Sequence, residues 1–459
     1  MNKEGNYLFK KIFGESYPIE EITKGCLEKD AFDLNRKIYF NLYRKKVYLA
    51  SSYDLLPTER KVELCTEAID FYESTGLIIP PNTIFKNIYL VPAGFKYSYK
   101  VNDFYLVDKL KVNKFNTIEM LEQIIISKYN FNKANLLMSG GADSTLLLLL
   151  LHKNQPSIKV NSIIFKSGKI DKDLIRARRI CKDLNSCLIE LDSKKSKEEE
   201  VKNFLIKQTE KLKEPIYEPL LFTYREILKN TKECNIIFDG QGADSILGGL
   251  GHHHLVSIYK NKFVRFFSSL GLFNFLLFGF KFIKVKNRFL YRIFKLIISL
   301  KENSLEECLI SSLYSSNKKF IKNNFLKLNI EIIKMYSNKY DDIATVSLLF
   351  LCIISARELQ KYRVDDNFIY CLPFLEKEFI HYCLSLPKEY KVKGKKRKIQ
   401  IIDYLNAYFP NSFSSSQQLP FEPNSSHVLY SKNDIFQDPL VKSKNIRAIS
   451  IAKLESILN

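Results

Sequence analysis

The stretch Leu136-Leu137-Met138-Ser139-Gly140-Gly141-Ala142-Asp143-Ser144 decides the fold. The apolar run from Asn135 to Met138 reads as a buried parallel strand. Two glycines and two small hydroxyl residues follow it, and a very apolar helix is predicted from Thr145 to Leu151. A strand that opens through Gly-Gly onto a helix N-terminus aims free backbone N–H groups and a positive dipole end at one point. Such a nest suits phosphate, with Asp143 placed to hold a Mg²⁺ ion on it. The stretch lacks the G-x-x-x-x-G-K-[ST] pattern of a Walker A loop.

Working outward, strand–helix alternation continues. Val160–Phe165, Cys187–Leu191 and Cys234–Phe238 are short apolar runs, with a helix expected from Asp171 to Leu184. This pattern predicts a parallel sheet covered by helices, with ligands at the carboxyl ends of its strands. Upstream, residues 36 to about 105 read mostly as β, from the alternation at 37–43 and 46–50. A helix is expected over Glu59–Ser74, a turn at Pro80-Pro81-Asn82, a last strand pair ending near Val107, and a connecting helix over Asn116–Tyr129. Downstream, Asp341 to Tyr408 reads as helical, and the Ser/Asn/Lys-rich tail after Ser412 ends in a short helix, Ile449–Leu458.

The chain of 459 residues has room for two or three cores. Its 46% hydrophobic and 26% charged content is that of a folded protein. The formal charge of +21 suits an anionic partner, but the lysines are scattered along the whole chain, so no nucleic-acid surface is expected. The nine cysteines show no zinc spacing, and several (Cys352, Cys371, Cys383) sit among apolar residues. They favour a reducing compartment, and the N-terminus shows no apolar leader, so a cytoplasmic location is expected. The segment Phe263–Leu300 is aromatic, apolar and basic. Its run Phe266–Phe280 falls short of the roughly 20 residues a membrane span needs. Buried helices of the catalytic part are the first expectation for it, and a partner or membrane-surface contact the second.

A second Gly-rich cluster follows Ile236-Ile237-Phe238 and reads Asp239-Gly240-Gln241-Gly242-Ala243-Asp244-Ser245-Ile246-Leu247-Gly248-Gly249. One such turn is weak evidence. Two, each carrying Asp and each after a strand, predict a shared Mg²⁺ site on Asp143 and Asp244, with the ion bridging phosphates of a nucleotide.

The first motif resembles the pyrophosphate loop of ATP pyrophosphatases. Together the two resemble the asparagine synthetase family, which includes asparagine synthetase B, β-lactam synthetases and lasso-peptide macrolactam synthetases. Ser139 to Ser144 match the family's first motif, and Gly240 to Gly249 are similar to its second. Pro373-Phe374-Leu375-Glu376 and Leu384-Ser385-Leu386-Pro387 resemble another block, which puts Lys398 in register with the family's catalytic lysine. Ile163-Ile164-Phe165 resembles the strand that receives adenine, and Glu214 to Pro219 the segment before the second motif. The resemblance covers roughly residues 36–425. It implies an α/β fold with a pyrophosphatase-type parallel sheet and a helical C-terminal part, preceded by a small, mostly β, truncated glutaminase-like domain. The expected division is 1–110 glutaminase-like, 111–133 connecting helix, 134–425 ligase domain and 426–459 tail.

The resemblance further implies ATP and Mg²⁺ as cofactors, with Met138, Ser139, Gly140, Gly141, Asp143, Ser144, Phe165, Gly240, Gln241 and Gly242 at the nucleotide, Asp143 and Asp244 at the metal, and Lys398 as the catalytic cation. A fixed cation suits amide formation, because negative charge develops on the acyl oxygen and on the departing AMP. The expected partners are a small-molecule or peptide carboxylate, ammonia or an amine, and a separate protein that supplies ammonia or presents the substrate.

Three departures stand out. Position 2 is Asn2 where the glutaminase nucleophile would be cysteine, so no glutamine hydrolysis is expected. Ile369 stands where the family has a glutamate, and an aliphatic side chain takes no proton from an amine. Tyr370 and Glu376 are the candidate substitutes. Gln241 and Ser245 replace two acids of the second motif. The leading expectation is an AMP-forming amide ligase, either ammonia-dependent or specialised for a peptide or a sugar acid. A decayed, partner-binding paralogue and a tRNA-modifying pyrophosphatase are the alternatives.

Overall fold

The computed structural model describes residues 7–458 apart from 60, 113–115, 130, 167–171, 193–197, 218–220, 232–233, 281–287, 315–323, 395, 411 and 414–438. Expectations that fall on Asp171, on Glu218 and Pro219, and on parts of the segments 263–300 and 426–459 lie outside the described residues.

The N-terminal part is built on a four-stranded sheet in the order β1 (Ile19–Glu21), β3 (Lys46–Ala50), β2 (Tyr39–Tyr43), β4 (Tyr89–Leu90). The β2–β3 hairpin turns through Arg44 and Lys45, both at positive φ, a conformation that matches the twist of the strands it joins. A separate hairpin, β5 (Phe95–Ser98) with β6 (Asp103–Leu106), follows. The helix expected over Glu59–Ser74 is shorter: it covers Thr66–Thr75, because Leu64 bridges to Phe85 and Cys65 bonds Ile84, which holds that backbone extended.

The main sheet is fully parallel, in the order β11 (Ile369–Cys371), β10 (Ile236–Phe238), β7 (Lys133–Leu137), β8 (Lys159–Lys166), β9 (Cys187–Asp192). Four of these strands are the apolar runs read from sequence. The fifth, β11, lies in a region read as helical; it is only three residues long and gains its structure by pairing with β10. From β7 the chain winds outward through β8 and β9, then returns to place β10 on the other side of β7. That reversal makes the β7/β10 boundary the switch point, where ligands bind in open α/β sheets.

The helix after β7 is Ala142–Asn154, three residues longer at its start than its leucine run suggests. Six consecutive leucines, Leu146 to Leu151, are all buried, so this helix is covered on every side. The connecting helix, Thr117–Lys128, starts where Asn116 Oδ1 accepts the Glu119 N–H. The C-terminal helix is longer than expected, Pro439–Leu458, and its end is part of the core: Ser450 and Leu454 are fully buried, and Ser450 Oγ accepts the Ile216 N–H. Among the described residues no helix is long and apolar enough to cross a membrane.

The segment expected to form buried helices is buried at the end of helix Arg288–Leu300, at Ile297, Ser299 and Leu300, but its earlier part lies on the surface. Helices Lys262–Ser269 and Leu272–Phe280 leave Phe263, Phe266, Phe267 and Phe275 exposed. Their hydrophobicity matches a core helix, but only Val264 and Phe273 pack inward, against Leu255, Tyr259, Leu300 and Cys308.

The helix Asp342–Ala356 is almost wholly buried and rests on one cap. Asp341 Oδ1 accepts the Ala344 N–H at 2.9 Å, and Oδ2 pairs with Lys109 at 2.9 Å. Burial pushes this carboxyl up, but the N–H and the lysine outweigh it and hold it below the usual aspartate range. Asp341→Ala is expected to cost about 1 kcal/mol in urea unfolding at pH 7. Because the folded-state pKa is lowered, the cap stabilises above the unfolded value and is lost as pH falls below about 4, where mutant and wild type should converge.

Candidate active site

The two Gly-rich loops leave adjacent strands. Phe238 at the end of β10 sits in register with Leu136 near the end of β7, so the two loops emerge side by side at the carboxyl edge. Their approach is close: a Cβ on Gly240 would lie 3.2 Å from the Asp143 Cβ and 3.3 Å from the Ser144 nitrogen.

The first loop folds onto itself. Ser139 Oγ accepts the Gly141 N–H at 3.2 Å, and the Ser139 and Ser144 hydroxyls lie 3.1 Å apart. Met138 is a core residue whose N–H bonds the Ile163 carbonyl. Gly141 is the N-cap of the helix and has no side chain to offer its first N–H groups. The first turn therefore presents Ala142, Asp143 and Ser144 amides without intrahelical acceptors, which suits an anion. Arg176 fastens the loop by donating to the Gly140 carbonyl at 2.8 Å. Phe165 lies in β8, in register with Leu191 of β9.

Asp143, Asp244 and Lys398 meet at one point. The Lys398 ammonium lies 2.6 and 2.8 Å from the two Asp143 oxygens and 2.5 Å from Asp244 Oδ1. Lys398 is itself buried, whereas the Asp143 and Asp244 side chains keep 20% and 46% of their exposure, so the carboxylates remain open to solvent on the far side. Burial acts to lower the Lys398 pKa, but the two carboxylates outweigh it and raise it, so the group is a fixed cation. Burial pushes Asp143 up to about 6, Lys398 offsetting only part of it. Asp244 is held below its ordinary value, because Lys398 overrides the effect of burial.

Helix packing delivers Lys398. It is the N-cap of helix Ile399–Tyr408, which packs against Ala142–Asn154 and Thr117–Lys128. Its φ of 49° is left-handed, an uncommon conformation for a residue with a side chain. The neighbouring Arg397 anchors the turn by donating to the Gly249 carbonyl at 2.7 Å. Gly249 has to be glycine: a Cβ there would lie 1.9 Å from Asp244 Oδ1 and 2.4 Å from Lys398 Cε.

Behind the second loop is a cluster the sequence reading missed. Asp239 accepts hydrogen bonds from the Tyr224 and Tyr362 hydroxyls and pairs with Lys361 at 3.4 Å. Lys361 Nζ also donates to Gln241 Oε1 at 2.7 Å, while the Gln241 amide nitrogen donates to Glu358. Burial pushes Asp239 up, but Lys361 and the two hydroxyls pull it below its usual value. Asp239 opens the second motif and was visible in sequence. Lys361 gave no signal, since it lies in a 3₁₀ turn, Glu358–Arg363, far along the chain. Next to it, Gln360 clamps the segment 214–217, accepting from Tyr217 N and donating to the Pro215 carbonyl, both at 2.8 Å.

Ile369 is half exposed at the start of the edge strand β11. Of its two candidate substitutes, Glu376 is held by Lys128 at the end of the connecting helix and by Tyr129 just after it, and burial pushes the Tyr370 hydroxyl up, so it stays protonated. Neither is set up as a base.

These residues fit a magnesium-bound nucleotide. Two carboxylates converge on one cation position, filled here by the Lys398 ammonium, beside an uncapped helix N-terminus. Magnesium is usually held by one or two carboxylates together with substrate phosphates. Lys398→Met is therefore expected to lower stability by roughly 2 kcal/mol, between the values for exposed and buried pairs. Added Mg²⁺ should restore part of that loss in thermal unfolding and do less for wild type. Equal magnesium effects on both would separate the carboxylates from any metal role.

Residues 131–318 match the sequence model of the family described as asparagine synthase. The chain is similar to "Asparagine synthetase [glutamine-hydrolyzing] 1" of Bacillus subtilis (strain 168), with 24% identity over 48% of this chain and 37% of that protein. It is also similar to "Putative asparagine synthetase [glutamine-hydrolyzing] 1" of Methanocaldococcus jannaschii, with 25% identity over 56% of this chain and 47% of that protein. The matches thus span less than half the length of these relatives. The matched region contains both Gly-rich loops and ends well before Lys398, which reaches the site through the fold. With its parallel sheet, paired loops and converging aspartates, the part of the chain over residues 131–318 is similar to the family described as asparagine synthase.

Proposed function

We propose that this protein is an ATP-dependent amide ligase that activates a substrate carboxylate with release of pyrophosphate and joins the acyl group to an amine. The observation that carries this reading is the meeting of Asp143, Asp244 and Lys398 at the uncapped N-terminus of helix Ala142–Asn154. A free carboxylate is a poor acyl donor, and Mg·ATP supplies the phosphorus centre that turns it into a good one. The loop amides would hold phosphate oxygens, and Asp143 and Asp244 would hold a magnesium ion that supplies charge neutralisation to the pyrophosphate. With a magnesium ion between the carboxylates, the Lys398 side chain would be free to serve the reacting acyl group. Its ammonium then stabilises the oxyanion formed as the amine attacks the acyl carbon and AMP leaves. The Lys361–Asp239 cluster keeps the second loop in position while this happens.

The acyl acceptor follows from Ile369. An exposed aliphatic residue at the edge strand offers no base for an incoming ammonium ion. A specialised ligase, acting on a peptide or sugar acid whose own amine or carboxylate supplies the missing polarity, fits this better than a dedicated asparagine synthetase. Glutamine hydrolysis is not part of the proposal; ammonia, where used, comes from solution or from a partner protein.

The test is AMP and pyrophosphate release from Mg·ATP, first with aspartate plus ammonium and then with panels of peptide and sugar acids. Carboxylate-dependent release is expected, falling by at least about 100-fold in Asp143→Ala, since both metal and phosphate contacts are lost. Lys398→Met should retain nucleotide binding but lose about as much in turnover. Phosphate and ADP as products, or release unaffected by Asp143→Ala, would overturn the reading.

A further inference from the structure

Helix Lys262–Ser269 turns Arg265 and Ser268 inward beside Val264 and leaves most of its phenyl surface outward, and helix Leu272–Phe280 continues that exposed surface while its Phe273 packs inward. In a soluble protein the apolar stripe of a surface helix faces the core. Here the polar side of the first helix faces inward. The Arg265 guanidinium donates to the Leu300 carbonyl at 3.3 Å and the Glu302 carbonyl at 3.0 Å, and lies 4.3 Å from the centre of the Tyr259 ring. Ser268 Oγ donates to the Leu300 carbonyl at 3.3 Å. The outward side is apolar: Phe263, Phe266, Leu270 and Phe275 are 75%, 58%, 64% and 74% exposed. Leu270 and Gly271 join the two helices, so their phenyl groups belong to one continuous stretch. An exposed apolar patch of this kind marks an interaction surface.

Charge says what covers it. From Ser245 to Lys301 the chain holds ten lysines and arginines and no aspartate or glutamate. Lys262 stands exposed at the start of the first helix, and Lys281, Lys284 and Lys286 follow the second in sequence. A second copy of the chain would bring the same positive charge onto itself, which disfavours a self-paired interface. The two helices, of 8 and 9 residues, are too short to span a bilayer and of the right character to lie in its surface. Phenyl groups insert among acyl chains while lysines meet anionic headgroups.

We propose that the segment Lys262–Phe278 is an in-plane anchor that binds this protein reversibly to membranes rich in anionic lipid. The proposal stands apart from the ligase reading and does not depend on it, but together they place the catalytic loops near a membrane surface.

The test uses the full chain, sedimented with vesicles of phosphatidylcholine alone and of phosphatidylcholine mixed with phosphatidylglycerol. Binding is expected on the mixed vesicles only, weakening as salt is raised. The triple variant Phe263→Ser, Phe266→Ser, Phe275→Ser should bind about tenfold more weakly or worse, with an unchanged circular dichroism spectrum. Lys262→Glu, which leaves the phenyl groups in place, should weaken binding less and in a salt-dependent way. Equal binding to both vesicle types, or binding unchanged in the triple variant, would overturn the proposal. So would a folded chain that binds neither, which would assign the face to an acidic protein instead.

Discussion

One buried ammonium holds the centre of this molecule together. Lys398 lies between Asp143 and Asp244, which come from loops about 100 residues apart and which would repel each other without it. Its position depends on the left-handed turn that carries it, on Arg397 anchored to the Gly249 carbonyl, and on the absence of a side chain at Gly249. It depends equally on the pairing of β7 with β10, which brings the two loops together. Sheet order, helix packing and charge balance are thus three expressions of one constraint. A cation must be available to both carboxylates, and Lys398 supplies it.

The second cluster gives this centre a firm backing. Asp239, Lys361, Gln241 and two tyrosine hydroxyls form a buried polar network with charge and hydrogen bonds paired. Such networks are stable only when satisfied throughout, and they then fix one geometry. Gln241 stands where the family resemblance leads one to expect an acid, and its amide bonds both Lys361 and Glu358. A carboxylate in its place would face Glu358 across the same contact. The amide is therefore matched to its neighbours in this chain, whatever the second loop binds.

Two equally apolar stretches have opposite fates. Leu146 to Leu151 is surrounded on all sides because the sheet and the helices Thr117–Lys128 and Ile399–Tyr408 close over it. Phe263, Phe266 and Phe275 lie outside, while Arg265 and Ser268 take the inward side and bond to carbonyls there. Hydrophobicity alone does not distinguish a core helix from an interaction surface. The polar residues between the phenylalanines decide it, through which side finds hydrogen-bond partners.

The sequence by itself determined the elements whose signals are local. The runs Asn135–Met138, Val160–Phe165, Cys187–Leu191 and Cys234–Phe238 became four parallel strands, and Asn116 capped its helix, because short apolar periods and capping side chains act over a few residues. The two Gly-rich turns were equally legible, since glycine and aspartate after a strand express a local backbone need. Only the tertiary structure decided that β10 lies beside β7, that Ile369 belongs to a fifth strand, and that Lys361 supports the second loop. It also turned Phe263, Phe266, Phe267 and Phe275 outward. Each of these depends on partners far along the chain. A residue's own type states what it needs, a hydrogen bond, a counter-charge or cover from water, and only the folded chain determines which distant group supplies it.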